Sequence, residues 1–307
     1  MDARVNGRKA LRIPELRTAG ETDAPTGTVG DLTEFLARHE RIAVLTGAGC
    51  STAAGIPAYR DRTGRWQRRQ PIFFQDFIAD ARMRRRYWAR SFFGWPTMRA
   101  ARPGPAHRAL ARLAGIGRLA GLITQNVDGL HQRAGHGGVI ELHGGLERVL
   151  CRECGAMVDR NSLQELLAGD NPAWSPDVLG INPDGDAELD DRAWPGFRVV
   201  DCRRCGGMLK PDVVFFGESV PADRMAAAGD VIGNADAVLV VGTSLVVGSA
   251  YRIVRRAAGA GLPLAAVNDG RTRADALLGF KIRGDCGEVL SAACPDFTVA
   301  TGQPAGA

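Results

Sequence analysis

Residues 43–61 read AVLTGAGCSTAAGIPAYRD, and this stretch decides the fold. An apolar run, Ile42 to Leu45, enters a turn carrying Gly47, Ala48 and Gly49. Ser51 and Thr52 follow, then Gly55, Pro57, Tyr59, Arg60 and Asp61. A strand that delivers the backbone into a glycine turn presents N–H groups and a helix N-terminus to an anion, which is how many proteins hold phosphate. The match to the dinucleotide fingerprint is partial. Gly47-x-Gly49 fits, but the third small position is Thr52. No acidic residue closes a second strand about 20 residues on, where a ribose-binding carboxylate would stand. A glycine pair after a strand is often only a tight turn, so the weight falls on the rest of the string.

The chain has 307 residues, enough for one large domain or two modest ones. With 45% hydrophobic and 24% charged residues it has an ordinary globular composition. No apolar stretch approaches the roughly 18 residues of a membrane span, so no membrane partner is expected. Residues 1–20 lack the apolar core of a secretory signal and hold few hydroxyls for a transit peptide. We read 1–25 as a flexible lead-in, 298–307 as a C-terminal tail and the location as cytoplasmic, with the mitochondrial matrix as the eukaryotic alternative. The net charge of +5 and pI near 9.0 invite a nucleic-acid reading. Yet only Lys9, Lys210 and Lys281 are lysines. Abundant Ala, Gly and Arg is what GC-rich coding produces without selection for DNA binding. The densest basic run, 82–90, is interleaved with Met83, Tyr87 and Trp88 and reads as the solvated face of a helix.

Short uninterrupted apolar runs bounded by Gly, Asn or Asp suit strands buried on both faces of a parallel sheet. They fall at Ile42–Thr46, Leu119–Thr124, 139–142, Ala237–Val241 and Leu264–Val267. Helical periodicity lies between them, at 29–39, 107–114 and 249–258. The alternation predicts an α/β fold, a doubly wound, Rossmann-like parallel sheet with ligands at strand C-termini and a smaller zinc-binding and helical domain inserted. The sheet domain takes 28–145 and 207–297, interrupted by a helical insertion at 60–105 and a cysteine module at 146–206. Within that module, 171–191 is rich in Pro, Asp and Gly and reads as an extended loop.

Four of the seven cysteines form two C-x2-C knuckles, Cys151/Cys154 and Cys202/Cys205, each followed by glycine. Two such knuckles make a closed tetrahedral thiolate site for zinc, structural because no position remains for water. Two disulfides or redox pairs are the rival reading; no secretory signal supports the first, and a thioredoxin-like pair would not need a twin. Cys50, Cys286 and Cys294 read as small buried apolar residues.

The longer strings carry a family resemblance. GAGCSTAAGIPAYR is similar to the NAD-binding loop of the sirtuins, the NAD-dependent protein-lysine deacylases, whose signature runs G-A-G-x-S-x-x-x-G-I-P-x-[FY]-R. TQNVDGLH (124–131) and ELHG (141–144) match two further sirtuin motifs. So do KPDVVFFGE (210–218) and VGTSLVV (241–247), in the family's order over about residues 28–292. Ala58 stands where the family usually has Asp, Tyr59 where Phe is common, and Cys50 where Ile or Val is commoner.

The resemblance implies NAD as cofactor, one structural zinc and acyl-lysine proteins or peptides as partners. It implies that Gly47, Ala48, Gly49, Ser51, Thr52, Pro57, Tyr59 and Arg60 hold NAD, with the pyrophosphate on the amides of 47–51. Gln125, Asn126 and Asp128 would meet the nicotinamide ribose and carboxamide, with Asn126 also counted as catalytic. Gly242, Thr243 and Ser244 would bind phosphate or ribose, Asn268 and Asp269 the adenosine ribose, and Cys286 would lie beside adenine. His143 would be the general base, its near-neutral pKa suited to taking a proton from a ribose hydroxyl. Val214, Phe215, Phe216, Gly217 and Glu218 on one side, with Leu245 and Val246 on the other, would leave two edges between which a peptide lies as an added strand. The products would be free lysine, nicotinamide and O-acyl-ADP-ribose. Mono-ADP-ribosyl transfer to protein is the alternative, as is a preference for longer or acidic acyl groups. The segments at 86–90, 94–96, 171–174 and 183–186 are similar to class II sirtuins. Tyr87 and Arg90 lie three apart on one helix face, as in sirtuins that grip an acidic acyl chain; we read Tyr87 here as packing in the small domain and Arg90 as one more solvated arginine of a basic helix.

Overall fold

β1 (Ile42–Thr46) is central to a six-stranded sheet that also contains β2 (Leu119–Thr124), β3 (Ile140–Glu141), β4 (Ala237–Val241), β5 (Leu264–Val267) and β6 (Phe280–Ile282). Their spatial order is β6-β5-β4-β1-β2-β3, and every neighbouring pair is parallel. This is the doubly wound order, which reverses direction between β1 and β4 and opens a crevice there. The computed structural model describes residues 4–5, 8–9, 15–16, 23–63, 65–67, 71–190, 192 and 194–294. The expected tail at 298–307 lies outside the described residues, as does most of 1–25.

Side-chain alternation explains why these strands are apolar throughout. Ile42, Val44, Leu122, Leu239 and Val267 join one core; Ala43, Leu45, Ile123, Val240 and Ala266 join the other. The first face is covered by α1 (Val29–Arg38), α4 (Pro105–Gly115) and α9 (Cys286–Ala293), the second by α7 (Ala222–Gly233) and α8 (Gly248–Gly259). With helices on both faces, no strand position is left for a polar residue facing water. Thr28 caps α1 in a capping box with Asp31, and Pro105 opens α4 at the position where a missing N–H costs nothing.

Four of the five expected strands stand at their expected limits; the fifth shortens to Ile140–Glu141. β6 has no counterpart in the sequence reading. It is three residues long with a lysine at its centre, and Lys281 is buried only because Asp275 accepts from its ammonium at 2.6 Å.

A second lobe carries a three-stranded antiparallel sheet (Gly144–Cys151, Met157–Asp159 and Leu209–Val213) packed against α2 (Phe74–Ala79), α3 (Ala81–Ala100) and α6 (Arg160–Asp170). Two expectations are corrected here. The stretch 171–191 contains an antiparallel ladder, Val178–Ile181 with Ala187–Leu189. A turn closes it, with the Asn182 amide donating to the Asp186 carbonyl and Gly185 at φ 77°. The basic run on α3 is not a wholly solvated face: Arg90 is 6% exposed, donating to the Ala187 carbonyl beside the Asp186 carboxylate.

Candidate active site

All six sheet strands end at one cleft of about 1070 Å³. Each contributes the residues just past its end. Gly47, Ala48, Gly49, Ser51 and Thr52 follow β1; Gln125, Asn126 and Asp128 follow β2; His143 follows β3. Gly242, Thr243 and Ser244 follow β4, Asn268 and Asp269 follow β5, and Cys286 opens α9 after β6. Tyr59 and Arg60 form part of the wall, facing Val214, Phe215, Phe216, Gly217 and Glu218 from the second lobe. Three expected residues are not on the wall: Pro57, Leu245 and Val246. Leu245 and Val246 are buried, and the cleft surface there comes from Val247 and Gly248.

The glycine turn is packed too closely for any other residue. A Cβ on Gly47 would stand 2.6 Å from Thr243 Cβ, and one on Gly242 would stand 2.4 Å from the Cys50 amide nitrogen. The first turn after β1 therefore lies directly on the first turn after β4. The amides of Gly47, Gly49, Cys50 and Ser51 already donate to the carbonyls of Val241, Gly242, Gly47 and Ala48. An anion meets these four only as a second acceptor, so Ala48 is the remaining amide of the expected five.

Under the turn, Ser51 fills every hydrogen-bonding position its hydroxyl has. It donates to Asp128 Oδ2 at 2.7 Å and accepts from Asn126 Nδ2 at 3.0 Å. His107 stands 3.3 Å away through Nε2. Because His107 Nδ1 accepts from the Gly104 amide, Nε2 carries the ring proton and donates to Ser51. Asn126 also donates to the Gly47 carbonyl at 3.1 Å, and Gln125 bonds Thr243 Oγ1 at 2.9 Å. Three strand ends are thereby tied into one polar floor.

His143 lies on that floor. Its Nδ1 is 3.1 Å from the Gln125 carbonyl, which only accepts, so Nδ1 is protonated and Nε2 has the free lone pair. Nε2 faces the Ser249 hydroxyl at 3.0 Å. Burial pulls the imidazole down to about 4; the bond to Gln125 opposes that shift and the charge of Arg224 adds to it. The ring is neutral at pH 7.

The four knuckle cysteines gather at the other end of the second lobe, their sulfurs within 4.8 Å of one another. Across the knuckles, Cys151 stands 3.5 Å from Cys205 and Cys154 stands 3.8 Å from Cys202. A tetrahedron of sulfurs about 2.3 Å from a zinc has edges of about 3.8 Å, whereas a disulfide needs about 2.05 Å. The set fits zinc. Gly155 and Gly206 take φ of 68° and 73°, the left-handed turn each knuckle needs. The amides of Arg204 and Cys205 favour the Cys202 thiolate. Cys50, Cys286 and Cys294 are buried, as expected.

Tyr87 and Arg90 share a helix face, as their spacing predicts, but neither lines the cleft. Tyr87 packs on Phe77 and Phe215, and Arg90 turns to Asp186. Sequence reasoning missed His107, Ser249 and Trp66. His107 looks like one more residue of an apolar helix, and Ser249 lies just beyond the VGTSLVV string. Trp66, stacked on Tyr59 at 5.0 Å, follows a run with no periodicity.

A doubly wound sheet with its cleft at the switch point and a four-thiolate module beside it define the class: an α/β protein built around a dinucleotide-type site. Comparison with known proteins identifies the family. Residues 47–249 match the Sir2 family model. The chain is 53% identical over 260 residues to NAD-dependent protein deacetylase 2 of Bradyrhizobium diazoefficiens, covering 85% of this chain and 95% of that one. It is 47% identical over 280 residues to NAD-dependent protein deacetylase 1 of Streptomyces coelicolor, covering 91% and 93%. A solved complex of Sir2 with a p53 peptide and NAD+ superposes with a TM-score of 0.68 at 30% identity, covering 86% of this chain and 96% of that one. A Sir2 homolog–NAD complex gives 0.68 at 28% identity, covering 89% and 95%. The chain belongs to the Sir2 family.

Proposed function

We propose that this protein is an NAD-dependent protein-lysine deacetylase that passes the acyl group to ADP-ribose. The overall reaction consumes acyl-lysine, NAD and water and releases lysine, nicotinamide and O-acyl-ADP-ribose. The observation that carries this reading is the position of His143: a neutral imidazole with its basic nitrogen turned into the cleft that holds the glycine turn. The names of the relatives support it.

NAD supplies an electrophilic ribose carbon from which nicotinamide departs. The residues divide the remaining work. The turn at 47–52, with Tyr59, Arg60, Thr243 and Ser244, holds the diphosphate and riboses, and Asn268, Asp269 and Cys286 border the adenosine end. Asn126 and Asp128, fixed through Ser51, orient the nicotinamide half. His143 Nε2 takes a proton from a ribose hydroxyl once nicotinamide has left. A peptide enters between 214–218 and the segment after Ser244, adding a strand through main-chain bonds.

Zinc at Cys151, Cys154, Cys202 and Cys205 supplies folding energy alone, since four thiolates leave no open position for chemistry. The sheet domain at 28–145 and 207–297, the insertion at 60–105 and the zinc module at 146–206 remain our division of the chain. We place it with the class II branch on the strings at 86–90, 94–96, 171–174 and 183–186. Among the described residues no helix is long and apolar enough to cross a membrane; a cytoplasmic location is our own reading, and the matched relatives are bacterial deacetylases.

The test is His143→Ala assayed with an acetyl-lysine peptide. Turnover should fall on the order of 10²–10⁴-fold while the melting shift on adding NAD persists. Turnover near the parent rate would remove His143 from the chemistry.

A further inference from the structure

Helix α8 starts without a side-chain cap, its N-cap residue being Val247. Ser249 stands in the first turn, 8% exposed and on the cleft wall. Its hydroxyl is 3.0 Å from His143 Nε2. Since Nδ1 is committed to the Gln125 carbonyl, Ser249 touches the one ring atom on which a base acts.

We propose that Ser249 is a positioning residue for the acyl-transfer half of the reaction, holding the His143 ring with Nε2 turned into the cleft. This rests on the reading of His143 as the base. Without substrate the hydroxyl donates to the Nε2 lone pair; the ribose hydroxyl displaces that donation, and once Nε2 is protonated the same serine oxygen accepts from Nε2–H. A hydroxyl is both donor and acceptor, so one side chain serves both protonation states. In the step itself the proton leaves a ribose hydroxyl for Nε2, the oxygen's electron pair forms the new bond to the acyl carbon, and the carbon–nitrogen π pair of the activated amide moves onto the lysine nitrogen. The imidazolium then has Gln125 O and Ser249 Oγ as acceptors for its two N–H groups. With alanine at 249, Nε2 loses its partner, and the cation forms beside the positive end of α8 without that acceptor.

The mechanism provides a readout that a packing role would not move. Nicotinamide leaves before the base acts. Exchange of labelled nicotinamide into NAD, driven by an acetyl-lysine peptide, therefore reports the chemistry upstream of His143, and acyl transfer reports the step it serves. In the full-length protein, Ser249→Ala should slow acyl transfer on the order of tenfold to a hundredfold, the scale of a misplaced catalytic group. Exchange should stay within about twofold, and Ser249→Thr, which keeps the hydroxyl, should restore transfer. Acyl transfer at the parent rate in Ser249→Ala would overturn the proposal. So would a parallel fall of exchange and transfer, which marks a structural defect. His143→Ala run alongside separates the two ideas. If it transfers acyl groups normally, the base assignment fails; if it is dead and Ser249→Ala is not, only the role of Ser249 falls.

Discussion

Ser51 and Asp128 meet at 2.7 Å in the cleft floor, the hydroxyl donating to the carboxylate. They come from the ends of two adjacent parallel strands, β1 and β2. The other carboxylate oxygen accepts from the Leu130 amide at 2.9 Å, so Asp128 also fixes the short helix α5 (Leu130–Arg133). The contact locks the turns after β1 and β2 to each other.

Ser51→Ala should therefore damage NAD binding more than the fold. It leaves donors on Asn126 and His107 and an acceptor on Asp128 without their common partner. A loss of about 1–3 kcal/mol corresponds to roughly fivefold to more than a hundredfold weaker NAD binding. The melting shift on titrating NAD measures it. An unchanged midpoint would mean that the Ser51 hydroxyl is idle.

His143 sets the expected pH behaviour. Its folded-state pKa lies near 4, below the ordinary 6.5, so the base is competent at any pH well above 4. Acyl transfer measured in a single turnover should show no inflection near 6.5 from this group. The stability consequence has the same direction, because the unfolded chain binds a proton below about 6.5 that the folded chain refuses. Stability should decline as pH falls from about 6.5 toward 4, and His107 and His131, both lowered mainly by burial, add to the slope. A protein that becomes more stable over that interval would contradict the assignment of these rings as neutral.

The thiolate cluster predicts one zinc per chain. Replacing Cys202 with Ser should weaken the metal, and chelation should melt the second lobe before the sheet, because closed thiolate sites contribute directly to folding. Metal analysis of purified protein with circular dichroism on chelation reads both. An active, fully folded, zinc-free protein would refute this.

Arg90→Met tests whether acidic acyl chains are gripped here. The side chain turns away from the cleft, so activity on acetyl, succinyl and longer acyl peptides should fall together or not at all. Melting should drop by the equivalent of about 1–3 kcal/mol, since the Ala187 carbonyl and the buried Asp186 lose a partner. Selective loss of succinyl activity would restore the acyl-pocket role.

The parts of the molecule legible in the sequence follow from local rules. Strands buried on both faces spell unbroken apolar runs, and knuckle spacing specifies a four-thiolate cluster. The less legible parts depend on partners distant in sequence. β6 exists because Asp275 satisfies Lys281, a pairing no periodicity reports. The turn at 182–186 hides a ladder inside a Pro- and Gly-rich stretch. His107 and Ser249 enter the site from helices whose sequence announces only an apolar face. Arg90 reads as one arginine among many until Asp186, 96 positions on, is brought beside it.

The most direct measurement is a product balance: purified protein, NAD and an acetyl-lysine peptide, with nicotinamide, deacetylated peptide and O-acetyl-ADP-ribose quantified together. The three should appear in equal amounts, none without the acetylated peptide, and all should vanish in His143→Ala. Free acetate in place of O-acetyl-ADP-ribose, or ADP-ribose attached to protein as the main product, would contradict deacylation by transfer to ADP-ribose.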